Sequence, residues 1–290
     1  MTPIKLGRLS RHASACALVC LTLAACSEGP LDPHGPVGKS ERLILLDATA
    51  IMLAVVVPVI ILTFCFAWWF RSGNRRAQYR PEWEYSGRIE MIVWAIPALV
   101  ILFLGGIAWI SSHDLDPPAA LKANAPPLEV QVVSVDWRWI FIYPEQGIAS
   151  VDRLTVPAGV PLHFRLTSTS VMNSFFIPQL GSQIYTMPGM TTQLSLLADR
   201  PGTYTGLSAQ FSGDGFSDMR FDVRAVPSIE FQAWVDSTRG AGGVLDRPTF
   251  EQLARPSSEH TVKTFAEVTA GLFDSIVVGH VGMTHAAAQE

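Results

Sequence analysis

The chain has 290 residues, of which 49% are hydrophobic and 16% charged, with a formal net charge of −4 and a mean hydropathy of +0.28. That is too apolar for an ordinary soluble domain and points to membrane segments joined to one globular domain, while the slight acidity argues against a nucleic-acid binder. The four cysteines are Cys16, Cys20, Cys26 and Cys65; everything beyond residue 65 is therefore without a disulfide, a thiolate metal site or a cysteine nucleophile.

Lys5, Arg8 and Arg11 precede an apolar stretch over residues 13–25, the pattern of a secretory signal covering residues 1–25. The run Leu23-Ala24-Ala25-Cys26 resembles the lipobox of bacterial lipoproteins. That resemblance implies that Cys26 is lipidated and becomes the mature N-terminus; the alternative is a plain signal peptide with a chance cysteine. Residues 26–42 then form a lipid-anchored linker, and the Gly- and Pro-rich part, residues 27–40, is expected to be a flexible leash.

Residues 43–112 are expected to form a two-helix transmembrane hairpin. Residues 48–70 and 91–112 carry no charge over 23 and 22 positions, and at ~1.5 Å per residue each reaches across a ~30 Å hydrocarbon core. Pro58 and Pro97 lie inside them, tolerable where neighbouring helices satisfy the freed carbonyls. Trp68, Trp69, Trp94 and Trp109 suit interfacial belts or helix contacts. The loop over residues 71–88 holds Arg71, Arg75, Arg76, Arg80 and Arg88 against Glu82 and Glu84. Short Arg-rich loops stay cytoplasmic, which puts the N-terminus and the C-terminal domain on the outer side, as the lipobox independently requires. Glu90 opens the second span; its plain reading is an interfacial residue partnered by Arg88.

Residues 113–227 change character. Short alternating runs (Glu129–Val132, Leu162–Leu166, Gln193–Leu196, Met219–Val223) are separated by turns at Pro157-Ala158-Gly159 and Pro201-Gly202, the pattern of a β-sandwich or barrel. Residues 228–290 read as a helical extension and tail, with Ile229, Phe231, Trp234, Val235, Phe250, Leu253, Phe265, Val268, Leu272 and Ile276 at helical spacing. No two of the seven histidines stand at i, i+3 or i, i+4, so no helical ligand pair exists. His163 is expected on a strand face, and His280 and His285 in a disordered tail. Met172, Met187, Met190 and Met219 invite a copper-chaperone reading, but methionine is more often a soft core filler.

The stretch over residues 171–223 reads VMNSFFIPQLG, SQIYTMPGM and GLSAQFSGDGFSDMRFDV. It resembles the copper loops of subunit II of the haem-copper respiratory oxidases, where a His on one loop and a Cys-x-Glu-x-Cys-x-x-x-His-x-x-Met run on the other hold the dinuclear centre CuA. Aligned on Met219, Ser208 and Ser212 stand at the two Cys positions, Gln210 at the Glu and Phe216 at the second His, while Asn173 replaces the first-loop His. Two bridging thiolates and two imidazoles suit such a centre; a lone thioether does not. The scaffold is kept and the metal lost, the mark of the quinol oxidase branch. Other runs carry the same resemblance, closest to the cytochrome bo-type ubiquinol oxidases. Ile89-Glu90 with Trp94 and Pro97 resembles I-E-x-x-W-x-x-x-P, with the Trp one position later, and Trp137, Trp139, Tyr143 and Pro144 match W-x-W-x-x-x-Y-P.

The resemblance implies a membrane-anchored α+β chain with a cupredoxin-like sandwich, a subunit of a proton-translocating complex that oxidises ubiquinol and reduces oxygen. It implies no redox centre or metal in this chain, haems and CuB in the partner subunit I, and further contacts with subunits III and IV and with membrane lipid. The place implied is the bacterial inner membrane, with the N-terminus and C-terminal domain periplasmic. Glu90 is implied as a proton-entry residue beside subunit I, and the Trp137–Trp139 element as packing at the junction with that subunit. The alternatives are a cytochrome c oxidase subunit II, against which the missing thiolates count, and a lipoprotein copper-binding or assembly module, against which the two spans count.

Overall fold

The computed structural model describes residues 29–78, 80–123, 125–257 and 261–287, with side chains to residue 279 in the last stretch. The expected signal, Cys26 and His260 lie outside the described residues. The chain divides into a unit of residues Ser40–Asp116 and a unit formed by Met1–Lys39 with Pro117–Glu290.

The first unit is helical. α1 (Pro36–Trp69) and α2 (Gly87–Asp114) have 34 and 28 residues, or about 51 and 42 Å of helix. Both are apolar and long enough to cross a membrane. They outrun the charge-free stretches because polar turns extend them: α1 starts at Pro36, a residue whose missing N–H costs nothing in a first helical turn. Pro58 and Pro97 lie inside unbroken helices. Leu53, Phe64, Trp94 and Ile101 are exposed along them, as lipid or a partner subunit requires.

The second unit is a two-layer β-sandwich. One sheet runs β12 (Lys263–Phe265), β3 (Ile148–Val151), β2 (Arg138–Tyr143), β1 (Leu128–Val135), β5 (Leu162–Ser168), β8 (Thr192–Leu196). The other runs β4 (Arg153–Pro157), β10 (Arg220–Val226), β9 (Gly202–Ser208), β6 (Asn173–Phe176), β7 (Ile184–Thr186). Most pairs are antiparallel, but β1 lies parallel to β5 and β10 parallel to β4, so the chain crosses between layers instead of folding as successive hairpins. Between the layers lie Val130, Val132, Trp139, Phe141, Phe164, Phe175, Phe221 and Val223, buried on facing sides. His163 is on strand β5, half-buried, as expected.

The expected helical extension is present, with short strands between its helices, and the expected disordered tail is not. After α3 (Ser228–Gly240) come β11 (Val244–Leu245), α4 (Arg247–Leu253), β12, β13 (Glu267–Val268) and α5 (Leu272–Ala287). β12 joins the first sheet at its edge beside β3, and β11 pairs with β13. Phe250, Leu253, Phe265, Leu272, Phe273 and Ile276 cover the outer face of that sheet, burying Val133, Val135, Ile140, Ile142 and Val151. An apolar stripe is blind to whether short strands interrupt it. The helix also continues to Ala287, through the stretch expected to be disordered.

The leash is not flexible where it is described. The His34 backbone N–H donates to the Gln179 carbonyl at 2.6 Å, the Asp199 N–H donates to the His34 carbonyl at 2.8 Å and the Gly38 N–H to the Leu180 carbonyl at 3.1 Å. Lys39 pairs with Asp199, and the buried His34 ring lies 5.3 Å from Tyr204. A Cβ on Gly35 would come 2.3 Å from the Leu197 carbonyl oxygen, so here Gly and Pro permit close docking of backbone on backbone.

Phe273 tests whether the extension is part of the domain. It is 2% exposed, beneath the Arg165 guanidinium at 5.1 Å. Phe273→Ala is expected to cost about 3–5 kcal/mol in urea unfolding of the purified chain, against under about 0.5 kcal/mol for alanine at exposed Val278 on the same helix. Equal midpoints for the two variants would show that the extension adds nothing to the fold.

Candidate functional site

One end of the sandwich gathers the two loops that resemble copper loops and the turn at Trp137. β1 ends there and turns at Asp136 and Trp137 into β2; β5 ends there and leads into β6; β7 leaves there for β8, and β9 for β10. The pairings fix this: Ser134 stands beside Ser168, Leu166 beside Thr192, Asn173 beside Thr186 and Phe175 beside Ser208.

The structure brings Asn173, Ser208, Ser212 and Met219 together. The Ser208 hydroxyl donates to Asn173 Oδ1 at 3.2 Å, and the Asn173 amide donates to the Val171 carbonyl at 3.3 Å. Asn173, Ser208 and Met219 are all buried. The neck of the second loop is closed by the Ser208 N–H donating to the Met219 carbonyl at 3.0 Å, and the Ala209 N–H donates to the Ser174 carbonyl at 3.0 Å, tying the two loops together. The Ser212 hydroxyl faces Met219 Sδ at 3.9 Å. Phe216 turns its ring to Phe211, centroids 5.6 Å apart. Gln210 contributes its backbone carbonyl, which accepts from Ser208 at 3.3 Å.

These donors do not fit a dinuclear copper centre. Neither loop carries a thiol or an imidazole, and the hydroxyls of Ser208 and Ser212 are directed at neighbouring side chains. Hard neutral oxygens hold copper of mixed valence poorly. None of the six side chains ionises at ordinary pH, so the site offers no general acid or base. Among the described residues no group of three or more His, Cys, Asp or Glu could hold a metal ion. Of the four methionines, only Met219 is a core filler; Met172 and Met190 are exposed.

Trp137, expected as packing at a subunit junction, contributes instead to this loop end. It adopts φ 66°, a left-handed conformation rare for an aromatic residue. Its indole N–H donates to the Ser212 carbonyl at 3.2 Å. Its ring covers Gly215 so closely that a Cβ there would come within 2.4 Å of it. Trp139, expected at a junction with a membrane subunit, is instead wholly buried in the sandwich, 5.3 Å from Phe175. Between them the buried Arg138 donates to the Ser257 hydroxyl at 2.8 Å. One short turn thus holds the loop, the extension and the core. The Gly213-Asp214-Gly215 run was the available signal for the clasp.

Glu90 lies in the first turn of α2 and is exposed, where the partial positive charge of the helix N-terminus favours a carboxylate. The expected ion pair with Arg88 is not formed among the described residues. Elsewhere, burial raises the Tyr143 phenol far above its ordinary range, so it stays neutral, exchanging hydrogen bonds with the Thr155 backbone at 3.0 Å.

Comparison with known proteins shows the family. The family described as cytochrome c oxidase subunit II, periplasmic domain, matches residues 145–226, and the COX aromatic-rich motif matches residues 239–282. The chain is similar to ubiquinol oxidase subunit 2 of Acetobacter aceti, with 50% identity over 259 residues, 89% of this chain and 84% of that one. It is similar also to cytochrome bo(3) ubiquinol oxidase subunit 2 of Pseudomonas aeruginosa, with 46% identity over 89% of this chain and 78% of that one. A solved periplasmic domain of subunit II of cytochrome oxidase from Bradyrhizobium japonicum aligns at 24% identity and a TM-score of 0.38, over 41% of this chain and 96% of that one. The extent of identity over nearly whole chains decides the assignment: this protein belongs to the ubiquinol oxidase subunit 2 family, as the subunit II of a membrane-bound, multi-subunit respiratory oxidoreductase.

Proposed function

We propose that within the oxidase this chain is redox-silent: it holds no CuA and serves as a structural cap on the outer, periplasmic face of subunit I. The observation that carries the reading is the set of residues at the loop positions: Asn173, Ser208, Gln210 and Ser212 are held in hydrogen bonds to one another or to their loop neighbours, and Phe216 packs on Phe211. Quinol reaches an oxidase through the lipid, so no relay from a water-soluble electron donor is needed, and haems and CuB belong to the partner. An apolar rim at the loop end supports docking there: Val171, Met190 and Phe211 are 47%, 52% and 71% exposed. Subunits III and IV complete the partner set. The Arg-rich loop supports an inner-membrane hairpin with both termini periplasmic.

Copper binding tests the silent site. The purified wild-type chain, given copper and reductant and then dialysed, is expected to retain none. The variant with Asn173→His, Ser208→Cys, Gln210→Glu, Ser212→Cys and Phe216→His is expected to retain two ions and turn purple, because the loops are already placed. Stoichiometric copper in the wild type would overturn the reading.

Glu90 is the proposed proton collector. At the cytoplasmic end of α2 a carboxylate exchanging with bulk water hands protons to polar groups of subunit I, and needs no special pKa to do so. The tagged chain is expected to bring down a haem-containing complex that consumes oxygen with ubiquinol. In that complex Glu90→Ala should slow turnover several-fold with haem content unchanged, Glu90→Asp less, and Arg88→Ala not at all. Recovery of the chain alone would sink the subunit I cap, and undiminished Glu90→Ala turnover the collector.

Cys26 is proposed to be the lipidated mature N-terminus. Mass spectrometry of the intact subunit should give a diacylated chain starting at Cys26; a mature protein that keeps residues 1–25, or starts elsewhere without lipid, contradicts it.

A further inference from the structure

The loop between the two membrane helices forms an open pocket that the assigned activity does not use. α1 ends at Trp69, and the chain folds back there through Asn74. The Asn74 side-chain amide donates to the Trp69 carbonyl at 2.7 Å, and its Oδ1 accepts the Arg76 backbone N–H at 3.1 Å. The fold-back leaves a cavity of about 580 Å³ whose lining includes Phe70, Arg71, Asn74, Gln78, Arg80 and Trp83. Among the described residues no carboxylate lines it. Glu82 instead faces a neighbouring recess beside Arg80. Among the described residues neither Arg71 nor Arg80 has a carboxylate partner. The Arg71 guanidinium is steadied 5.1 Å over the Trp68 ring, and Arg80 donates to Gln78 Oε1 at 3.0 Å.

Two un-neutralised guanidinium groups therefore share an aromatic-walled cavity at the point where a bilayer-length helix ends. A guanidinium fork matches the oxygens of a phosphate, and ring faces tolerate the glycerol carbons beside it. We propose that this pocket binds the phosphodiester headgroup of an anionic phospholipid, with Arg71 and Arg80 on the phosphate and the acyl chains lying along the exposed apolar surface of α1. Basic sites at a membrane surface draw anionic lipid by charge alone. The pocket makes a sharper demand, because it singles out Arg71 and Arg80 from a loop that also contains Arg75 and Arg76.

The test is native mass spectrometry of the delipidated oxidase complex titrated with dioleoylphosphatidylglycerol, with dioleoylphosphatidylcholine and inorganic phosphate as comparisons. The wild type should show a phosphatidylglycerol adduct on this subunit that neither phosphatidylcholine reproduces nor millimolar phosphate displaces. Arg71→Gln with Arg80→Gln should weaken it at least about fivefold, since both phosphate forks are lost. Arg75→Gln with Arg76→Gln makes the same charge change outside the lining and should stay within about twofold. Equal weakening in the two double variants would reduce the effect to diffuse charge and overturn the site. So would wild-type affinity in the first variant, equal binding of phosphatidylcholine, or displacement by free phosphate. If the first variant fails to assemble, Arg71→Lys with Arg80→Lys decides: it keeps the charge and loses the forks, so intermediate weakening is expected and wild-type affinity refutes the proposal.

Discussion

The stack of Phe175 on Phe221 is the contact on which the loop end of the domain depends. The two rings lie 5.2 Å apart at 13°, near parallel, and Trp139 and Phe164 each approach Phe175 at 5.3 Å. Phe175 follows Asn173 by two positions on β6, and Phe221 follows Met219 by two on β10. Fixing the two rings therefore fixes the strand ends from which both loops spring. Aromatic pairs of this kind contribute about 0.5–1.5 kcal/mol beyond their burial. The seat is tight: a Cβ on Gly206 would fall 2.0 Å from the Phe221 ring, so β9 must carry glycine opposite it. With the strand ends held from below and Trp137 clasping Gly215 from the side, the loops keep their arrangement with serine and asparagine alone.

The first sheet of the sandwich is buried on both faces, and this explains much of the rest. β2 is buried at all six positions: Trp139, Phe141 and Tyr143 face the other sheet, and Ile140 and Ile142 face the extension. A strand without a polar face cannot be left to solvent, so α4, α5 and β12 complete the domain. At the opposite end of the sandwich from the loops, residues 32–39 are pinned by backbone hydrogen bonds to Gln179, Leu180 and Asp199. The chain entering the membrane helix is thus already part of the soluble unit.

Much of this was legible in the sequence, and the misses have physical causes. Charge-free stretches of more than 20 residues read directly as membrane helices, and alternation read as strands. The spacing of Ser208, Ser212, Phe216 and Met219 located the second loop, whose neck the structure closes between Ser208 and Met219. What pattern could not supply was pairing over distance. The parallel neighbours β1 and β5, the edge strand β12 and the clasp from Trp137 to Ser212 are contacts between segments far apart in sequence. Gly and Pro in residues 29–38 were ambiguous for another reason: the same residues that loosen a chain in water allow it to lie closest to another backbone.

The loop end of this domain, as proposed, works without a metal. A neutral, hydrogen-bonded centre costs less to bury than an unfilled set of thiolates and imidazoles, and the apolar rim remains free for a partner. The central claim is that the loops are ordered by packing and hydrogen bonds alone. Amide hydrogen exchange of residues 208–219 in the purified oxidase, measured with and without a strong copper chelator, tests it most directly. Superimposable protection in the two conditions is the expected result; faster exchange in this loop on chelation would mean that a metal holds it, and would contradict the claim.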